Sequence, residues 1–224
     1  MGTARLLHVT RGVTAVVGSG GKTTLLATLA RELPGTVVLT TTTHILPFAG
    51  VRTLLDPSPD EVASALERER FVCVGGRAGE KDHKLVAPAC GVEALAARAD
   101  YVLVEADGAR RLPLKAHASW EPVVPAGATQ TVLVVGAGGL GSPVREAVHR
   151  PEIFCELAGC AAEDPATPEL VARVLRAEGL ATRVLVNQAD TPALLAAAGS
   201  LAGGLDVPVV AGSLRAGRLT ELRG

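Results

Sequence analysis

Aromatic side chains are scarce in this chain. Phe, Trp and Tyr together make up 2% of its 224 residues, and Trp and Tyr occur once each. Proteins that hold single-stranded nucleic acid stack the bases on aromatic rings, so this scarcity argues against that class of function. Because large rings are missing, the core has to be built from Val, Leu and Ala side chains.

An excess of charge of either sign is also missing. The chain has 22 Lys and Arg residues against 23 Asp and Glu residues, a formal net charge of −1. Nucleic-acid-binding domains carry clustered positive charge, so nucleic acid is not expected as a partner. No apolar stretch reaches the ~18 residues of a membrane span, and residues 1–11 lack the layout of a signal peptide. We therefore expect a soluble, cytoplasmic protein that contacts no membrane.

Cysteine is present but is not arranged as a metal or redox motif. None of the four cysteines stands in a Cys-x-x-Cys pair, and the spacing of Cys155 and Cys160 gives only a weak hint of a metal site or disulfide. In a cytoplasmic protein, thiols stay reduced and pack as small apolar side chains. We expect this structural role for all of them, at Cys73, Cys90, Cys155 and Cys160.

A glycine-rich segment is the most informative feature that the chain does have. Residues 15–24 read Ala-Val-Val-Gly-Ser-Gly-Gly-Lys-Thr-Thr, an apolar run followed by glycines and the start of a helical pattern. Few side chains obstruct the turn, so its backbone N–H groups can converge on an anion, and the positive end of the next helix points to the same place. This predicts phosphate binding by the glycine loop, which comprises Gly18, Ser19, Gly20 and Gly21.

The residues after the glycine loop complete a nucleotide site. Lys22 would reach the β- and γ-phosphates of ATP or GTP, the Thr23 hydroxyl would ligate Mg²⁺, and Thr24 would line the same site. The standard pattern G-x-x-x-x-G-K-[ST] requires glycine where this chain has Val16, which indicates a divergent class of loop. The spacing, followed by Thr-Thr, is similar to that of Mur-type amide ligases.

Short apolar runs alternate with helical patterns along the whole chain. The runs are apolar on both faces, as in buried parallel strands, and Ser-Pro or Thr-Pro pairs announce helix starts. The alternation predicts an α/β fold, a mostly parallel sheet flanked by helices in the three-layer sandwich of P-loop NTPases. We predict strands at 14–17, 36–40, 71–74, 101–105, 132–135, 183–186 and 207–210, and helix starts at Ser58-Pro59, Ser142-Pro143, Thr167-Pro168 and Thr191-Pro192.

Length and composition favour one domain. With 224 residues, 48% of them hydrophobic, the chain is long enough for a single well-buried core. Two stretches interrupt the alternation of strands and helices. We therefore predict a single P-loop NTPase-like domain over 1–224, with a possible small insertion around 75–90 and a long loop over 106–129.

Two acids follow the buried strand at 101–105. In a P-loop protein, the strand beside the loop strand supplies a carboxylate that holds Mg²⁺ directly or through water. Glu105 or Asp107 would do this, and we assign the metal to Glu105 together with Thr23. Asp107 is then free to position a water or nucleophile, so the predicted catalytic groups are Lys22, Glu105 and Asp107. The alternative is that these acids simply cap a strand end.

Hydroxyl side chains follow the second predicted strand. Residues 40–43 are all Thr, and His44 comes next, at the edge where open α/β sheets bind ligands. Thr42 and His44 are therefore candidate contacts to the nucleotide. A β-branched strand end with a surface histidine explains the same residues equally well.

A late strand carries a candidate base-reading motif. Asn187-Gln188-Ala189-Asp190 resembles the Asn-Lys-x-Asp motif of GTPases, in which the Asp carboxylate accepts two hydrogen bonds from guanine. Gln188 replaces the usual Lys, so guanine is favoured over adenine only weakly. A formal G-x-G-x-x-G at 136–141 would suggest a dinucleotide site, but the next helix is predicted to start after these glycines, which disfavours that reading.

Several segments occur together in one order that resembles the YqeC family. They are the loop V-V-G-S-G-G-K-T-T, T-T-T-T-H-I-L-P at 40–47, V-E-A-D-G-A-R-R-L-P-L-K-A-H at 104–117, W-E-P-V-V-P at 120–125, V-H-R-P-E at 148–152 and V-N-Q-A-D at 186–190. Members of this family are described as accessory proteins of selenium-dependent molybdenum hydroxylases. The resemblance implies a P-loop NTPase-like fold, a role in maturing such an enzyme, and further site residues at Lys115, Glu121, His149 and Arg150.

Three functions are consistent with these residues. The first is a Mg²⁺-dependent NTPase that serves a molybdenum hydroxylase or its maturation proteins. The second is a Mur-like ATP-dependent ligase that activates a carboxylate as an acyl phosphate. The third is an adaptor that binds nucleotide without hydrolysing it. Symmetric dimers are common among P-loop proteins of this kind, so a homodimer is one option for the assembly.

Overall fold

The computed structural model of this protein describes residues 2–79 and 83–224. The helices are α1 (Thr3–Leu6), α2 (Lys22–Glu32), α3 (Pro59–Leu66), α4 (Gly91–Ala96), α5 (Val144–Ala147), α6 (Pro151–Ala158), α7 (Pro168–Glu178) and α8 (Pro192–Gly203), with a 3-10 turn at Ala137–Gly139. The strands are β1 (Gly12–Gly18), β2 (Val37–Thr41), β3 (Thr53–Leu55), β4 (Phe71–Arg77), β5 (Leu85–Val86), β6 (Tyr101–Glu105), β7 (Leu114–Lys115), β8 (Ala128–Gly136), β9 (Val148–His149), β10 (Arg183–Asn187), β11 (Val209–Ser213) and β12 (Arg218–Arg223).

One ten-stranded sheet runs through the molecule. Its order is β12-β11-β10-β8-β1-β6-β2-β4-β3, with β5 paired to β4. The strand pairs are parallel, except that β12 runs antiparallel to β11 and β5 antiparallel to β4. The prediction of a mostly parallel sheet is confirmed. In this sheet the carboxyl ends of β1, β6, β8 and β10 lie along one edge.

Helices cover both faces of the sheet, as the predicted three-layer sandwich requires. Successive residues of β1 point to opposite faces, so Val16 packs with α2 while Ala15 and Val17 pack with α6, α7 and α8. The other half of that second face carries α3 and α4, which pack on Val102 and Val104 of β6. The core is aliphatic throughout, in keeping with the shortage of aromatic residues.

The helix caps confirm most of the predicted helix starts. Ser58 accepts the Glu61 backbone N–H, and the Glu61 side chain reaches back to the cap, which completes a capping box at α3. Thr167 accepts the Leu170 N–H at α7 and Thr191 accepts the Leu194 N–H at α8, and each is followed by Pro as the first helical residue.

The prediction that Ser142 caps a helix was wrong, although a short helix, α5, begins close by. The residue at the N-cap of α5 is Pro143, without a side-chain cap, and α5 has only 4 residues. The backbone at Ser142 instead pairs with the segment before α7, where the Ala166 N–H donates to the Ser142 carbonyl at 2.8 Å. Hydrogen bonding to a distant segment therefore displaces the local cap.

Every strand that the sequence predicted is present; β6 has the predicted bounds, and one or both ends of each other strand are shifted by one to a few residues. The run at 36–40 is β2 (Val37–Thr41), and the run at 207–210 is β11 (Val209–Ser213). Five strands were not predicted: the short strands β3, β5, β7 and β9, and the edge strand β12. β12 is largely exposed and lies at the end of the sheet, so its sequence lacks the two-sided apolar character of the inner strands.

The two irregular stretches of the sequence differ in structure. In the first, around 75–90, β4 runs on to Arg77 and β5 returns antiparallel to it; Glu80, Lys81 and Asp82 lie outside the described residues. The second, over 106–129, crosses the carboxyl edge of the sheet and contains β7, which pairs in parallel with β9 as a separate two-stranded sheet.

The helices are short. The longest, α8, has 12 residues, against about 20 for a helix that spans a bilayer. Within 2–79 and 83–224, no helix combines the length and the apolar character needed to cross a membrane.

Candidate functional site

The glycine loop joins the end of β1 to the start of α2. Gly18, Gly20 and Gly21 have φ values of 86°, 92° and 125°, a region that favours glycine. A Cβ on Gly20 would lie 2.3 Å from the Gly136 Cα, and a Cβ on Gly21 would lie 2.4 Å from the Asn187 Nδ2. The loop therefore packs tightly against the ends of β8 and β10, and a side chain at Gly20 or Gly21 would displace it.

Val16 occupies the position where the standard loop pattern has glycine. It lies inside β1, paired with Glu105 of β6, and its side chain is fully buried against α2. The position belongs to the strand and has no unusual backbone conformation to accommodate. The missing glycine is therefore consistent with a shorter loop that begins at Gly18.

Lys22 is folded back onto the loop and onto two acids. Only 6% of the surface of Lys22 is exposed to solvent. The Nζ donates to the Gly18 carbonyl at 2.7 Å, and it lies 3.1 Å from the Asp107 Oδ1 and 3.8 Å from the Glu105 Oε1. The three residues that the sequence proposed as catalytic are thus brought together beside the glycine loop.

Thr23 and Glu105 form an oxygen pair suited to Mg²⁺. The Thr23 hydroxyl donates to the Glu105 Oε2 at 3.3 Å. Burial raises the pKa of the Glu105 carboxyl, although the Lys22 ammonium opposes that rise. In the described part of the chain, no three His, Cys, Asp or Glu side chains group as a metal cage. Mg²⁺ usually takes one or two protein oxygens and completes its shell with phosphate and water, so the pair fits this metal.

Asp107 is the centre of the site. Its Oδ2 accepts the Gly18 N–H at 2.9 Å and lies 2.8 Å from the Lys115 Nζ and 2.9 Å from the His117 Nε2. Burial alone would raise the pKa of this carboxyl, but His117, Lys22 and Lys115 together hold it well below its usual range. Asp107 is thus a fixed anion with partners on both oxygens, which disfavours its predicted role in positioning a water or nucleophile.

His117 and Glu178 belong to the site and were not predicted from the sequence. The His117 Nδ1 lies 2.9 Å from the Glu178 Oε2, and the His117 backbone N–H donates to the Glu178 Oε1 at 2.6 Å. Burial lowers the pKa of His117, but the two carboxylates outweigh burial and leave it raised. The two residues are 61 positions apart, and no motif links them, so the sequence held no signal of this pair.

Lys115, Glu121 and Arg150 meet on the other side of Asp107. The Lys115 Nζ lies 2.8 Å from the Glu121 Oε1, and the Arg150 guanidinium contacts the same carboxylate oxygen. β7 and β9 set this geometry, because Lys115 pairs with His149. Burial lowers the pKa of Lys115. The structure therefore joins the segments that carry the family resemblance into one cluster.

The threonines after β2 support the site, and His44 stays outside it. The Thr42 N–H donates to the Glu105 carbonyl at 3.2 Å, and its hydroxyl donates to the Val123 carbonyl at 2.6 Å. Thr42 therefore links the backbone at the end of β6 to the backbone at Val123. The side chains of His44 and Thr24 are exposed, and neither joins the cluster of charged groups among the described residues.

Asn187 links the glycine loop to the neighbouring strands. Its Nδ2 donates to the Gly20 carbonyl at 2.8 Å, and its Oδ1 accepts the Leu214 N–H at 3.0 Å. Asp190 is exposed and lines a cavity of about 530 Å³ together with residues of α8, β11 and β12. Asn187 therefore orients the loop while Asp190 faces open space at the same edge of the sheet.

The glycines at 136–141 support the glycine loop. Gly136 is the end of β8 against which Gly20 packs, and Ala137–Gly139 forms a 3-10 turn. A dinucleotide site would need the first turn of an α-helix here. The 3-10 turn therefore contradicts the interpretation of these glycines as a dinucleotide site, which the sequence already disfavoured.

The cysteines are free, as expected, but only Cys73 is fully buried. Burial raises the pKa of the Cys73 thiol to about 11. The Cys155 and Cys160 sulfurs are 3.9 Å apart at the end of α6, where the Cys160 N–H donates to the Cys155 carbonyl. This is the packing contact that accompanies a helix ended by a left-handed glycine, here Gly159.

Comparison with known proteins places the site within a matched region. Residues 14–152 match the model of the family described as YqeC protein. The "Uncharacterized protein YqeC" of Escherichia coli (strain K12) is 35% identical over 159 residues, which cover 66% of this chain and 60% of that protein. The chain thus spans less than two thirds of this curated relative. The family match includes the glycine loop, Asp107 and Arg150, whereas Glu178 and Asn187 lie beyond it.

Proposed function

This chain belongs to the YqeC family, and on that premise we propose that it is a Mg²⁺-dependent nucleoside triphosphate-binding protein and an NTPase. The observation that carries the proposal is the meeting of Lys22 with the Thr23–Glu105 oxygen pair beside the glycine loop. Phosphoryl transfer depends mainly on positioning and on neutralising charge, and these groups can supply both.

Each group at the loop has a separate role in this proposal. The first-turn N–H groups of α2 lack intrahelical partners, so with the loop backbone they can bind phosphate oxygens. Lys22 would turn from the acids to the β- and γ-phosphates. Thr23 and Glu105 would hold Mg²⁺, which when bound neutralises charge on the phosphates.

The nucleotide is ATP or GTP, and the carboxylate of Asp190 favours the guanine base of GTP. A carboxylate accepts hydrogen bonds, and the edge of guanine offers two adjacent N–H donors, whereas adenine offers a donor beside an acceptor. Support for such a contact comes from the exposure of this carboxylate and from the cavity of about 530 Å³ that it lines. Asn187 supports the arrangement through its bond to the Gly20 carbonyl.

We further propose that the protein acts in the maturation of a molybdenum hydroxylase. The support is the resemblance to the family and the clustering of its motif segments around Asp107. A nucleotide-loaded adaptor that hydrolyses nothing is the alternative, and single-turnover hydrolysis with and without the hydroxylase would separate the two. Phosphate release only when a carboxylate and an amine are both present would instead indicate a Mur-like ligase.

Substitution of Lys22 tests nucleotide binding directly. Lys22→Ala removes the cation for the phosphates, and we expect calorimetric binding of Mg²⁺ with ATP or GTP to become undetectable. Titrating both nucleotides into the unmodified protein also compares the two bases. Circular dichroism must show a folded variant, because Asp107 loses one of its partners.

The matched control is Arg31→Ala, at the far end of α2, where the guanidinium bonds only to the Ala27 carbonyl within the described chain. Its affinity should equal that of the unmodified protein. Unchanged nucleotide affinity in Lys22→Ala would contradict the proposed function.

A further inference from the structure

A chain of alternating charges leads from the glycine loop to the surface. Asp107 accepts the Gly18 N–H and binds Lys115, Lys115 binds Glu121, and Glu121 contacts Arg150. We call Asp107, Lys115, Glu121 and Arg150 the charge chain. Its outer end is the Arg150 guanidinium, which lies 5.5 Å from the centre of the Trp120 ring.

The inner half of the charge chain is cut off from water. The side chains of Asp107 and Lys115 are 0% exposed, and those of Glu121 and Arg150 are exposed by 13% and 18%. Charges in such surroundings are poorly screened, so each position depends strongly on the charge beside it. A change in the charge near one member of the charge chain therefore alters the position of the next member.

The inner end shares Lys22 with the proposed phosphate site. The Lys22 Nζ is bound to the Gly18 carbonyl and lies 3.1 Å from the Asp107 Oδ1. A triphosphate at the glycine loop would take the same ammonium, since one lysine cannot neutralise both anions in full. Asp107 would then depend more strongly on Lys115, and Lys115 would be drawn away from Glu121.

The segment beside Arg150, the outer end of the charge chain, carries two exposed apolar side chains. In residues 118–125, the Trp120 segment, Trp120 is 73% exposed and Val123 is 50% exposed. The same segment is tied to the end of β6, because the Val123 N–H donates to the Ala106 carbonyl and Thr42 donates to the Val123 carbonyl. Its position is thus set by the strand that carries Glu105 and by the contact between Arg150 and Glu121.

We propose that nucleotide binding at the glycine loop is transmitted through the charge chain to the Trp120 segment. The bound state shifts Glu121 from Lys115 towards Arg150 and alters the cation–π contact of Arg150 with Trp120. The apolar surface at Trp120 and Val123 is then presented differently in the nucleotide-bound and nucleotide-free protein. This coupling rests on the proposed function, since it requires a triphosphate to compete with Asp107 for Lys22.

The single tryptophan of the chain makes the coupling measurable. Trp120 is the only Trp, so its emission under selective excitation reports this segment alone. Titration of the full chain with Mg²⁺ and GTP, or with Mg²⁺ and ATP, should change the emission in a saturable way. The midpoint should match the dissociation constant measured by calorimetry.

Two variants test the path of the signal. Glu121→Gln keeps the shape of the side chain but breaks the middle of the charge chain, and Arg150→Gln breaks its outer end. Each should bind nucleotide while losing most of the emission change. Glu163→Gln is the control, because it neutralises a Glu paired with an Arg, Arg145, on the surface, and its response should be unchanged.

The outcomes separate the coupling from the proposed function. Calorimetric binding without any emission change would overturn the coupling alone, as would a full emission change in a folded Glu121→Gln or Arg150→Gln variant. Absence of calorimetric binding would overturn the proposed function, and the coupling with it. If one variant fails to fold, the other and the unmodified protein still decide the result.

Discussion

At the scale of single residues, Asp107 organises the site. One buried carboxylate holds the start of the glycine loop through the Gly18 N–H and anchors both Lys22 and Lys115. Lys22, Lys115 and His117 hold it ionised, so it acts as a fixed anion around which movable groups are arranged. Its neighbour Glu105, whose carboxylate accepts the Thr23 hydroxyl, is the better candidate for Mg²⁺.

The pH dependence of stability should reveal His117. Its pKa lies above 6.5 in the folded protein, because the carboxylates of Asp107 and Glu178 outweigh burial. The protonated ring therefore stabilises the fold fully below about pH 6.5, and this contribution is lost as the pH rises through the raised pKa. Urea unfolding from about pH 6 to about pH 9 should show that decline.

Substitution isolates this effect from other titrations. His117→Gln should lower the free energy of unfolding by about 3 kcal/mol at the acidic end of that range, since it leaves two buried carboxylates short of a partner. The loss should shrink at the alkaline end. His8→Gln is the control, an exposed histidine that contacts Arg183, and an equal pH response in both variants would contradict the assignment.

At the scale of elements, the turn from β1 to α2 and the helix caps follow from local rules. Glycines with positive φ form the turn, and Ser58, Thr167 and Thr191 cap helices that begin with Pro. The short elements do not follow such rules. α5 and the pair of β7 with β9 exist because distant backbone segments bond to them.

A pair of glycine substitutions should act in opposite directions. Gly20→Ala places a Cβ 2.3 Å from the Gly136 Cα at a φ of 92°, which should cost about 2 kcal/mol of stability and displace the glycine loop. Gly199 lies in the middle of α8 with open space around it. Gly199→Ala should therefore stabilise the protein by about 0.5–1 kcal/mol.

Urea unfolding measures both effects, and calorimetry adds the nucleotide affinity. We expect Gly20→Ala to weaken nucleotide binding and Gly199→Ala to leave it unchanged. A Gly20→Ala variant with unaltered stability would show that the loop can move away from β8 at little cost.

At the scale of the whole molecule, the order of the strands assembles the site. β6 and β8 flank β1, and β10 lies beside β8, so the turns after these four strands meet at one edge. Open parallel sheets bind ligands at this edge. Residues as distant in sequence as Gly18, Asp107 and Asn187 become neighbours there because parallel connections end β1, β6, β8 and β10 at the same edge.

Ligand binding should stabilise the molecule as a whole. At a nucleotide concentration about 100 times the dissociation constant, with Mg²⁺, the free energy of unfolding should rise by about 2.7 kcal/mol. For a protein of this size that corresponds to an increase in melting temperature of about 5–10 °C. Scanning calorimetry with nucleotide plus a chelator, and with Lys22→Ala, should show no such increase if Mg²⁺ and Lys22 are both required.

The sequence by itself determined the parts of this protein that depend on neighbouring residues. Short apolar runs predicted the inner strands, glycines followed by Lys-Thr-Thr predicted the loop, and Ser-Pro or Thr-Pro pairs predicted the starts of α3, α7 and α8, because each is a local pattern. Only the tertiary structure decided that His117 joins Asp107 to Glu178, and that Glu121 stands between Lys115 and Arg150. Those contacts join side chains from separate turns, and their distances depend on strand order and register, for which no local pattern exists.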